Sequence, residues 1–236
     1  MTCADLLIAN SYHTAEGIIK TYGIIPQVAS PGVDFIAFAP PKNPPKENGY
    51  LLSVGALTAQ KGHWFALKAV GALPKELKFP LHIVANLDLE GWGERLRKMA
   101  QKLDVELVIR MNLNDRQLCD AYAGAEVVLC CQVVEPFGLV PLEALAVGRP
   151  VLAVREGGFR ETLKDCKGAL LADRHLPTFS KELAKLLKDP RRRVQMGEHG
   201  RRFVERHWGW ERSVAHLETI IDEFMSEGGR ESWKGS

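Results

Sequence analysis

Short apolar runs recur along the chain without the polar alternation of a half-exposed strand. They are rich in Val, Ile and Leu, and they predict strands at residues 5–9, 50–54, 81–85, 106–109, 127–131, 150–154 and 168–172. Strands that lack alternation are usually buried on both faces, as in a parallel sheet covered by helices. The pattern therefore indicates a parallel sheet in the interior of the protein.

The longer segments between these runs repeat their apolar residues with helical periodicity. They predict helices at 63–73, 93–103, 115–125, around 139–147 and 180–188, and an entirely helical region beyond about residue 190 that ends with 208–225. Strands that alternate with helices are typical of α/β proteins. We therefore predict an α/β fold with a doubly wound parallel sheet and a helical C-terminal extension.

Proline, glycine and polar residues divide the chain into segments. The proline-rich segment APPKNPPKENG at 39–49 predicts a linker between residues 1–38 and a main α/β domain at 50–189. Residues 190–226 would form the C-terminal helices, which we expect to return toward the N-terminal segment. Residues 227–236 are polar and glycine-containing and are typical of a flexible tail.

Composition and charge exclude several classes of protein. With 46% apolar and 25% charged residues and a formal charge of only +2, the chain can form a sizeable core and offers no strong field for nucleic acid. The basic run RRRVQMGEHGRR is interpreted as a solvated helix face. No apolar run approaches the about 18 residues of a spanning helix, and no signal peptide opens the chain. We expect a cytoplasmic protein, with association at a membrane surface as the alternative.

The cysteines show no spacing that suits metal or disulfide chemistry. None of Cys3, Cys119, Cys130, Cys131 and Cys166 belongs to a CxxC pair, and most of them lie within apolar runs. We therefore predict reduced core cysteines and no metal site.

The stretch EPFGLVPLEALAVGRP follows the predicted strand at 127–131 and carries the first candidate chemistry. Pro141 has no N–H, so it is tolerated only in the first turn of a helix, which places the helix start near Gly138. The free amides of Gly138, Leu139 and Val140 would then form a helix N-terminus that suits a phosphate group.

Two glutamates bracket this helix start. Glu135 would lie in the loop before it, and Glu143 would lie on the helix about two turns along, on the order of 10 Å away at 1.5 Å per residue. That separation suits a ligand with hydroxyl groups at both ends and an anion in the middle, such as a nucleoside diphosphate sugar. The alternative, which spacing alone leaves open, is two solvated glutamates around a helix cap.

Two further loops fall at the same edge of the predicted sheet. Gly157 and Gly158 follow the next strand, where glycine lets backbone N–H groups approach an anion closely. Lys61 follows the strand at 50–54 and could neutralise a diphosphate as a point charge. No strand-to-helix turn carries a GxGxxG fingerprint or a P-loop, so dehydrogenases and P-loop NTPases are disfavoured.

Together these motifs resemble a known family. EPFGLVPLEALAVGRPVLAVREGGFRETL resembles the donor-binding signature of retaining family 4 glycosyltransferases, with an E-x7-E motif at Glu135 and Glu143. YLLSVGALTAQKG is similar to that family's first strand and lysine loop, and HWGWERSVAHL to its closing helix. The resemblance covers nearly the whole chain and implies the Rossmann-like C-terminal domain of a GT-B fold.

The resemblance also implies a role for each matching residue. Glu135 would face the donor sugar and, with Lys61, would carry the chemistry, while Glu143 would hold the ribose hydroxyls. Phe137 and Gly138 would line the sugar pocket. The diphosphate would be held by Lys61, by the amides of Leu139 and Val140, and by the Gly157–Gly158 loop. Such enzymes need no metal or other cofactor, because cationic side chains and helix dipoles stabilise the departing diphosphate.

The sequence departs from the family pattern in two places. Ala56 stands where the family has an arginine that clamps the diphosphate. Arg155 and Arg160, near the Gly157–Gly158 loop, are the candidates to replace its charge. The chain also begins where the family's first domain is about to end, so the acceptor site would come from elsewhere. Neither His13, in the N-terminal segment, nor His63 is expected to be catalytic.

Three hypotheses follow from these departures. In the first, the chain is the donor domain of a glycosyltransferase, which needs a separately encoded N-terminal half or is a piece of a longer enzyme. In the second, it is a nucleotide-sugar-binding module or pseudoenzyme, and in the third it is an interaction or structural protein without a ligand. A half-enzyme would expose apolar surface for a partner or a second copy. Phe35, Phe38, Trp208 and Trp210 are the candidates for that surface, and ordinary core anchors are the alternative.

Overall fold

The computed structural model describes residues 4–41 and 49–226, which form a small N-terminal unit, a six-stranded α/β layer structure and a helical C-terminal region. The linker positions 42–48, the tail 227–236 and Cys3 lie outside the described residues.

The N-terminal unit is a single βαβ motif. Strand β1 (Ile8–Ala9) pairs in parallel with β2 (Gln27–Val28), and helix α1 (Tyr12–Tyr22) connects them. Ser11 caps α1 by accepting a hydrogen bond from the Thr14 amide, and Gly23 ends it with φ of 70°. The sequence analysis missed α1 and β2, although the serine and glycine at these positions are ordinary helix start and stop signals.

The main sheet contains six parallel strands in the order β5-β4-β3-β6-β7-β8. Their bounds are β3 (Tyr50–Val54), β4 (Leu81–Ala85), β5 (Leu107–Met111), β6 (Ala125–Cys130), β7 (Val151–Val154) and β8 (Ala169–Ala172). All residues of β3, β4 and β7 are buried, because helices cover both faces. The α/β class and the doubly wound parallel sheet are thereby confirmed.

The order of the strands creates a switch point in the middle of the sheet. The chain runs outward from β3 to β4 and β5, and then returns to place β6 on the other side of β3, with Leu52 opposite Val128. The loops that leave β3 and β6 therefore run in opposite directions and open a crevice at the carboxyl edge, where open α/β sheets bind ligands.

The helices of the main layer agree with the predicted segments. They are α2 (His63–Gly71), α3 (Trp92–Leu103), α4 (Asp115–Gly124), α5 (Leu139–Ala146), the short α6 (Phe159–Thr162) and α7 (Leu176–Lys188). A 3-10 turn at Lys75–Leu77 precedes β4. Helix α7 starts four residues before the predicted 180–188, because Pro177 occupies its first turn, where a missing N–H costs nothing.

The helical extension consists of α8 (Pro190–His207) and α9 (Trp210–Ser226). Between these helices the chain meets the N-terminal segment: the Val33 amide donates to the Trp208 carbonyl at 2.7 Å. A Cβ atom at Gly32 would lie 2.7 Å from the Trp210 backbone. Within the described residues, no helix is long and apolar enough to cross a membrane.

The four aromatic residues proposed as exposed surface differ in their environment. Phe35, Phe38 and Trp208 are partly buried and pack against the hydrophobic core, whereas Trp210 is 48% exposed. The structure therefore favours the anchor interpretation for the first three. Cys119, Cys130, Cys131 and Cys166 are buried free thiols, as predicted.

Candidate functional site

An ion pair crosses the switch point at the carboxyl edge of the sheet. Lys61 Nζ, from the loop after β3, lies 2.9 Å from Glu135 Oε2, from the loop after β6. The side chains are 34% and 20% exposed, so the pair is accessible from the crevice without lying on the open surface. The two residues given catalytic roles from the sequence are thus in direct contact.

Close packing between the two loops fixes this pair. The Val133 amide donates to the Gln60 carbonyl at 2.7 Å. At Gly62, where φ is 68°, a Cβ atom would overlap the carbonyl oxygen of Cys131. Only glycine permits this approach, which brings the residue before it, Lys61, next to the β6 loop.

His63 is buried directly below the β3 loop. Its Nδ1 accepts from the Ser53 hydroxyl at 2.8 Å, while Nε2 lies 3.1 Å and 3.2 Å from the carbonyls of Gly55 and Ala56, to which it donates. Burial lowers the pKa of His63 from 6.5 to about 4. A neutral imidazole with these contacts shapes the loop and has no free nitrogen for catalysis.

Helix α5 begins at Leu139, with Gly138 as its cap residue, close to the predicted start. Among the hydrogen bonds of the described residues, none is donated by the amides of Leu139 or Val140. Pro141 follows in the first turn, where its missing N–H leaves no gap in the helix. The open amides and the helix dipole make this end of α5 attractive to an anion.

Glu143 lies on α5 and faces α4. The buried Tyr122 hydroxyl donates a 2.6 Å hydrogen bond to Glu143 Oε2. Burial raises the pKa of the Glu143 carboxyl, and the bond from Tyr122 opposes that rise. Among the described residues no donor reaches Oε1, so one carboxylate oxygen is fixed and the other is open to a hydroxyl group.

The Gly157–Gly158 loop packs against the Glu135 loop. The Gly158 amide donates to the Glu135 carbonyl at 2.7 Å. A Cβ atom at Gly157, where φ is 54°, would overlap the same carbonyl oxygen, and one at Gly158 would overlap the Pro136 carbonyl oxygen. The expectation that both amides hold a diphosphate needs correction at Gly158, because its N–H already has a partner in the protein.

Phe137 also differs from its expected place in the sugar pocket. Its ring is only 4% exposed and meets Trp208 edge-to-face, with the ring centroids 5.3 Å apart. Its carbonyl accepts a hydrogen bond from Thr162 Oγ1 at 3.2 Å. Phe137 therefore anchors the loop in the core instead of lining a pocket.

Arg155 and Arg160, the candidates to replace the charge of the arginine missing at Ala56, do not reach the Lys61–Glu135 pair. Arg155 Nη2 donates to the Leu171 carbonyl at 2.7 Å, toward β8, and Arg160 is exposed on α6. Among the described residues, neither forms a hydrogen bond or ion pair with Lys61 or Glu135.

The sequence analysis missed Arg174, which follows β8. Its guanidinium donates to the carbonyls of Cys131 at 3.0 Å and Gln132 at 2.7 Å, and to the Glu156 carboxylate at 2.8 Å. These partners follow β6 and β7, so one side chain ties three strand ends together. Its position just after a strand was the only signal, because its partners are distant in sequence.

The N-terminal unit touches the same loops. Ser11 Oγ donates to the Pro136 carbonyl at 2.6 Å. The Tyr12 and His13 amides donate to the Glu161 carboxylate at 3.0 Å and 3.3 Å, so this side chain of α6 caps α1. The N-terminal segment thus helps to hold the loop that carries Glu135.

No group of three or more His, Cys, Asp and Glu side chains is placed to hold a metal ion anywhere in the part of the chain that the structure describes.

Doubly wound α/β sheets bind ligands at the switch point, which is where the Lys61–Glu135 pair lies. The model of the family "Glycosyl transferases group 1" matches residues 34–203, and the chain belongs to this family. The predicted family resemblance and its Rossmann-like, GT-B type of fold are confirmed.

Curated relatives support the same assignment. A D-inositol 3-phosphate glycosyltransferase from Streptomyces bingchenggensis is 30% identical over 94% of this chain and 53% of its own length. The corresponding protein from Corynebacterium jeikeium is 30% identical over 96% of this chain and 59% of its length. The chain therefore spans somewhat more than half the length of these relatives.

Solved structures agree in fold. Sucrose-phosphate synthase from Thermosynechococcus elongatus superposes with a TM-score of 0.83 at 22% identity, covering 95% of this chain and 59% of the synthase. Anabaena HepE in complex with UDP gives 0.81 at 17% identity, covering 93% and 64%. A C-terminal domain of the Francisella tularensis group 1 glycosyltransferase LpcC gives 0.66 at 21% identity, covering 75% of this chain and 99% of that domain.

Proposed function

We propose that this chain is the donor-binding part of a retaining glycosyltransferase that uses a nucleoside diphosphate sugar. The observation that carries the proposal is the 2.9 Å contact of Lys61 with Glu135 across the switch point, beside the open amides of α5. In this assignment Glu135 faces the donor sugar, Glu143 binds the ribose hydroxyls, and Lys61 with the Leu139 and Val140 amides binds the diphosphate.

The charges of the site suit the departure of a diphosphate. When the bond between the anomeric carbon and the phosphate oxygen breaks, its electron pair stays on the diphosphate. Lys61 and the N-terminus of α5 would stabilise that charge without a metal ion, which stays a prediction. The acceptor oxygen would form its bond on the face that the diphosphate leaves, and would pass its proton to the oxygen of the departing diphosphate.

UDP is the first nucleotide to test. The HepE structure named above contains UDP, and related HepE structures contain UDP and glucose or UDP-glucose. The chain shares 17–20% sequence identity with HepE in these structures, and the proposal takes from them only the base of the nucleotide, not the sugar or the acceptor. We therefore propose a uridine nucleotide as the ligand and leave the sugar to the experiment.

We also propose that a partner supplies the acceptor side, either a separately encoded N-terminal half or a second copy. Within the described residues, β1 and β2 pair only with each other, and a two-stranded sheet is marginally stable alone. Next to them lies an apolar cavity of about 340 Å³ between Ile8, Ala29 and the α9 residues Trp210, Val214 and Leu217. Size-exclusion chromatography with light scattering will show whether a second copy covers it.

A second candidate is a nucleotide-sugar-binding module without turnover. Ala56, whose methyl group replaces the expected arginine, favours this function, since neither Arg155 nor Arg160 takes over its place. Both candidates predict nucleotide binding, and only the first predicts transfer. The cytoplasmic location and the association with a membrane surface stay predictions.

Calorimetric titration with UDP, GDP and ADP tests the binding site. We expect one nucleotide to bind with micromolar affinity and to weaken by about 10-fold or more in Glu143→Gln and in Lys61→Gln. Glu106→Gln removes the same negative charge as Glu143→Gln, from an exposed position at the opposite edge of the sheet, and serves as the control for that variant. Equal affinity in all variants would contradict the site, and detection of sugar transfer would separate the two candidates.

A further inference from the structure

A second concentration of charge lies at the edge of the sheet opposite the Lys61–Glu135 pair. The loop before β8 and the C-terminal half of α8 enclose a shallow cavity of about 270 Å³. Three cationic side chains line it: Lys167 from the loop, and Arg202 and Arg206 from α8. Because the loop precedes β8, the cavity lies at the amino edge of the sheet, away from the donor site.

These cations lack the acidic partners that two other arginines of α8 possess. Arg193 binds Glu126 at 2.7 Å, and Arg201 binds Glu205 at 2.6 Å. Among the described residues, by contrast, no ion pair or side-chain hydrogen bond involves Lys167, Arg202 or Arg206. Arg193 and Arg201 are thus neutralised within the protein. In the described part of the chain the side chains of Arg202 and Arg206 are not, and neither are those of Arg191 and Arg192 in the first turn of α8, but only Arg202 and Arg206 face a cavity together with a third cation, Lys167.

The side chains of the cavity converge. His199, Arg202 and Arg206 are spaced by three and four residues, so they lie on one face of α8. On the same helix the rings of Phe203 and His207 lie 4.9 Å apart and add an aromatic wall. The lining contains one carboxylate, Asp165, against three permanent cations.

We propose that this cavity binds a phosphate group, carried by a small phosphorylated molecule or by a lipid headgroup. Two guanidinium groups offer paired N–H donors that match phosphate oxygens, and a lysine adds a point charge. Bound phosphate would relieve the mutual repulsion of Lys167, Arg202 and Arg206. The aromatic wall would contact the part of the molecule that bears the phosphate.

Titration with pyrophosphate, followed by NMR chemical shifts and calorimetry at low salt, tests the proposal. In Arg206→Gln and in Lys167→Gln the affinity should fall by about 5- to 10-fold, because each loses a charge-assisted contact. Arg191→Gln removes the same charge from an exposed position of α8 outside the cavity and should leave the affinity unchanged. An equal loss in all three variants would show diffuse attraction and overturn the proposal.

Pyrophosphate will also reach the donor site, so Lys61→Gln serves as the background for the titration. Binding that persists in Lys61→Gln and weakens by about 5- to 10-fold in Lys61→Gln combined with Arg206→Gln belongs to the cavity. This result is independent of the proposed function, since a failed donor site would leave it unchanged. Loss of all pyrophosphate binding in Lys61→Gln alone would overturn the proposal.

Vesicles distinguish the two sources of phosphate. Co-sedimentation with phosphatidylcholine vesicles that contain phosphatidic acid, but not with pure phosphatidylcholine, would identify a lipid headgroup, provided that Arg206→Gln weakens it and Arg191→Gln does not. Pyrophosphate binding without vesicle binding would identify a small phosphorylated molecule. Binding to neither would overturn the proposal.

Discussion

The Tyr122 hydroxyl and the Glu143 carboxylate form a 2.6 Å hydrogen bond between α4 and α5. Burial raises the pKa of Glu143 and also holds the pKa of Tyr122 well above its ordinary value, so the phenol remains a donor. One side chain of the E-x7-E motif is therefore oriented by a residue that the motif does not contain.

Replacement of Tyr122 by Phe tests this orientation. The variant leaves a buried carboxylate without its donor, so we expect a loss of about 1–3 kcal/mol in the free energy of unfolding and about 10-fold weaker UDP binding. The pKa of Glu143 should rise further, because the bond that lowers it is gone. The fall in UDP affinity on acidification should therefore begin at higher pH than in the unaltered chain. An unchanged pH profile of binding would contradict the role.

His63 predicts a dependence of stability on pH. Above pH 6.5 its imidazole is neutral in the folded and the unfolded chain. Between pH 6.5 and about 4, His63 is protonated in the unfolded chain but stays neutral in the folded chain, where its pKa is about 4. The free energy of unfolding should therefore fall as pH drops from 6.5 toward 4, by about 3 kcal/mol from this group.

Urea denaturation at several pH values checks this prediction. In His63→Gln the part of the slope that His63 contributes should vanish, although the variant is less stable overall. His199→Gln changes an exposed histidine and should keep the slope. If the slopes of His63→Gln and the unaltered chain coincide, His63 is not the neutral support of the β3 loop.

Two glycines allow a matched comparison of close packing with open space. Gly157 has a φ of 54°, and a Cβ atom added there would overlap the Glu135 carbonyl oxygen. A Cβ atom added at Gly17, within α1, would have no such neighbour within 4 Å. Gly157→Ala should lose more than about 2 kcal/mol of stability and weaken UDP binding, while Gly17→Ala should gain about 0.5–1 kcal/mol. Thermal unfolding of both variants measures the difference, and equal effects would exclude a packing role for Gly157.

Ala56 offers a gain-of-function test. An arginine introduced by Ala56→Arg would add a second cation to the loop that carries Lys61, while the backbone carbonyl that binds His63 remains. We expect about 10-fold tighter UDP binding and faster release of UDP from a UDP-sugar. Calorimetry and a UDP-release assay measure both effects. Tighter binding without turnover would support the binding module, and no change in either would argue against a diphosphate at this loop.

The sequence predicted the sheet well because the strands β3, β4, β6 and β7 are buried on both faces, so their apolar runs are almost unbroken. The β1–α1–β2 unit was missed because strands of two residues leave no periodic signal, and the run predicted as a strand at 5–9 forms only Ile8–Ala9. A strand this short exists only through its hydrogen bonds to a partner strand, and the partner of β1 is β2, 19 residues further along the chain.

At the site, too, the sequence revealed what depends on local pattern and missed what depends on contacts between distant residues. Lys61 and Glu135 could be placed at one edge of the sheet because each lies in a loop that follows a strand, and Glu143 could be placed on α5 because Pro141 marks the start of that helix. The buried state of Phe137 and the occupied amide of Gly158 depend on contacts with Trp208 and Glu135, which no local pattern contains. Arg174 was missed for the same reason.

A crystal structure of the chain with UDP tests the central claim most directly. We expect electron density for the diphosphate within hydrogen-bonding distance of Lys61 Nζ and of the Leu139 and Val140 amides, with the ribose hydroxyls at Glu143. UDP bound away from these groups, or no density for UDP at a concentration that saturates binding in solution, would contradict the assignment of this edge of the sheet as the donor site.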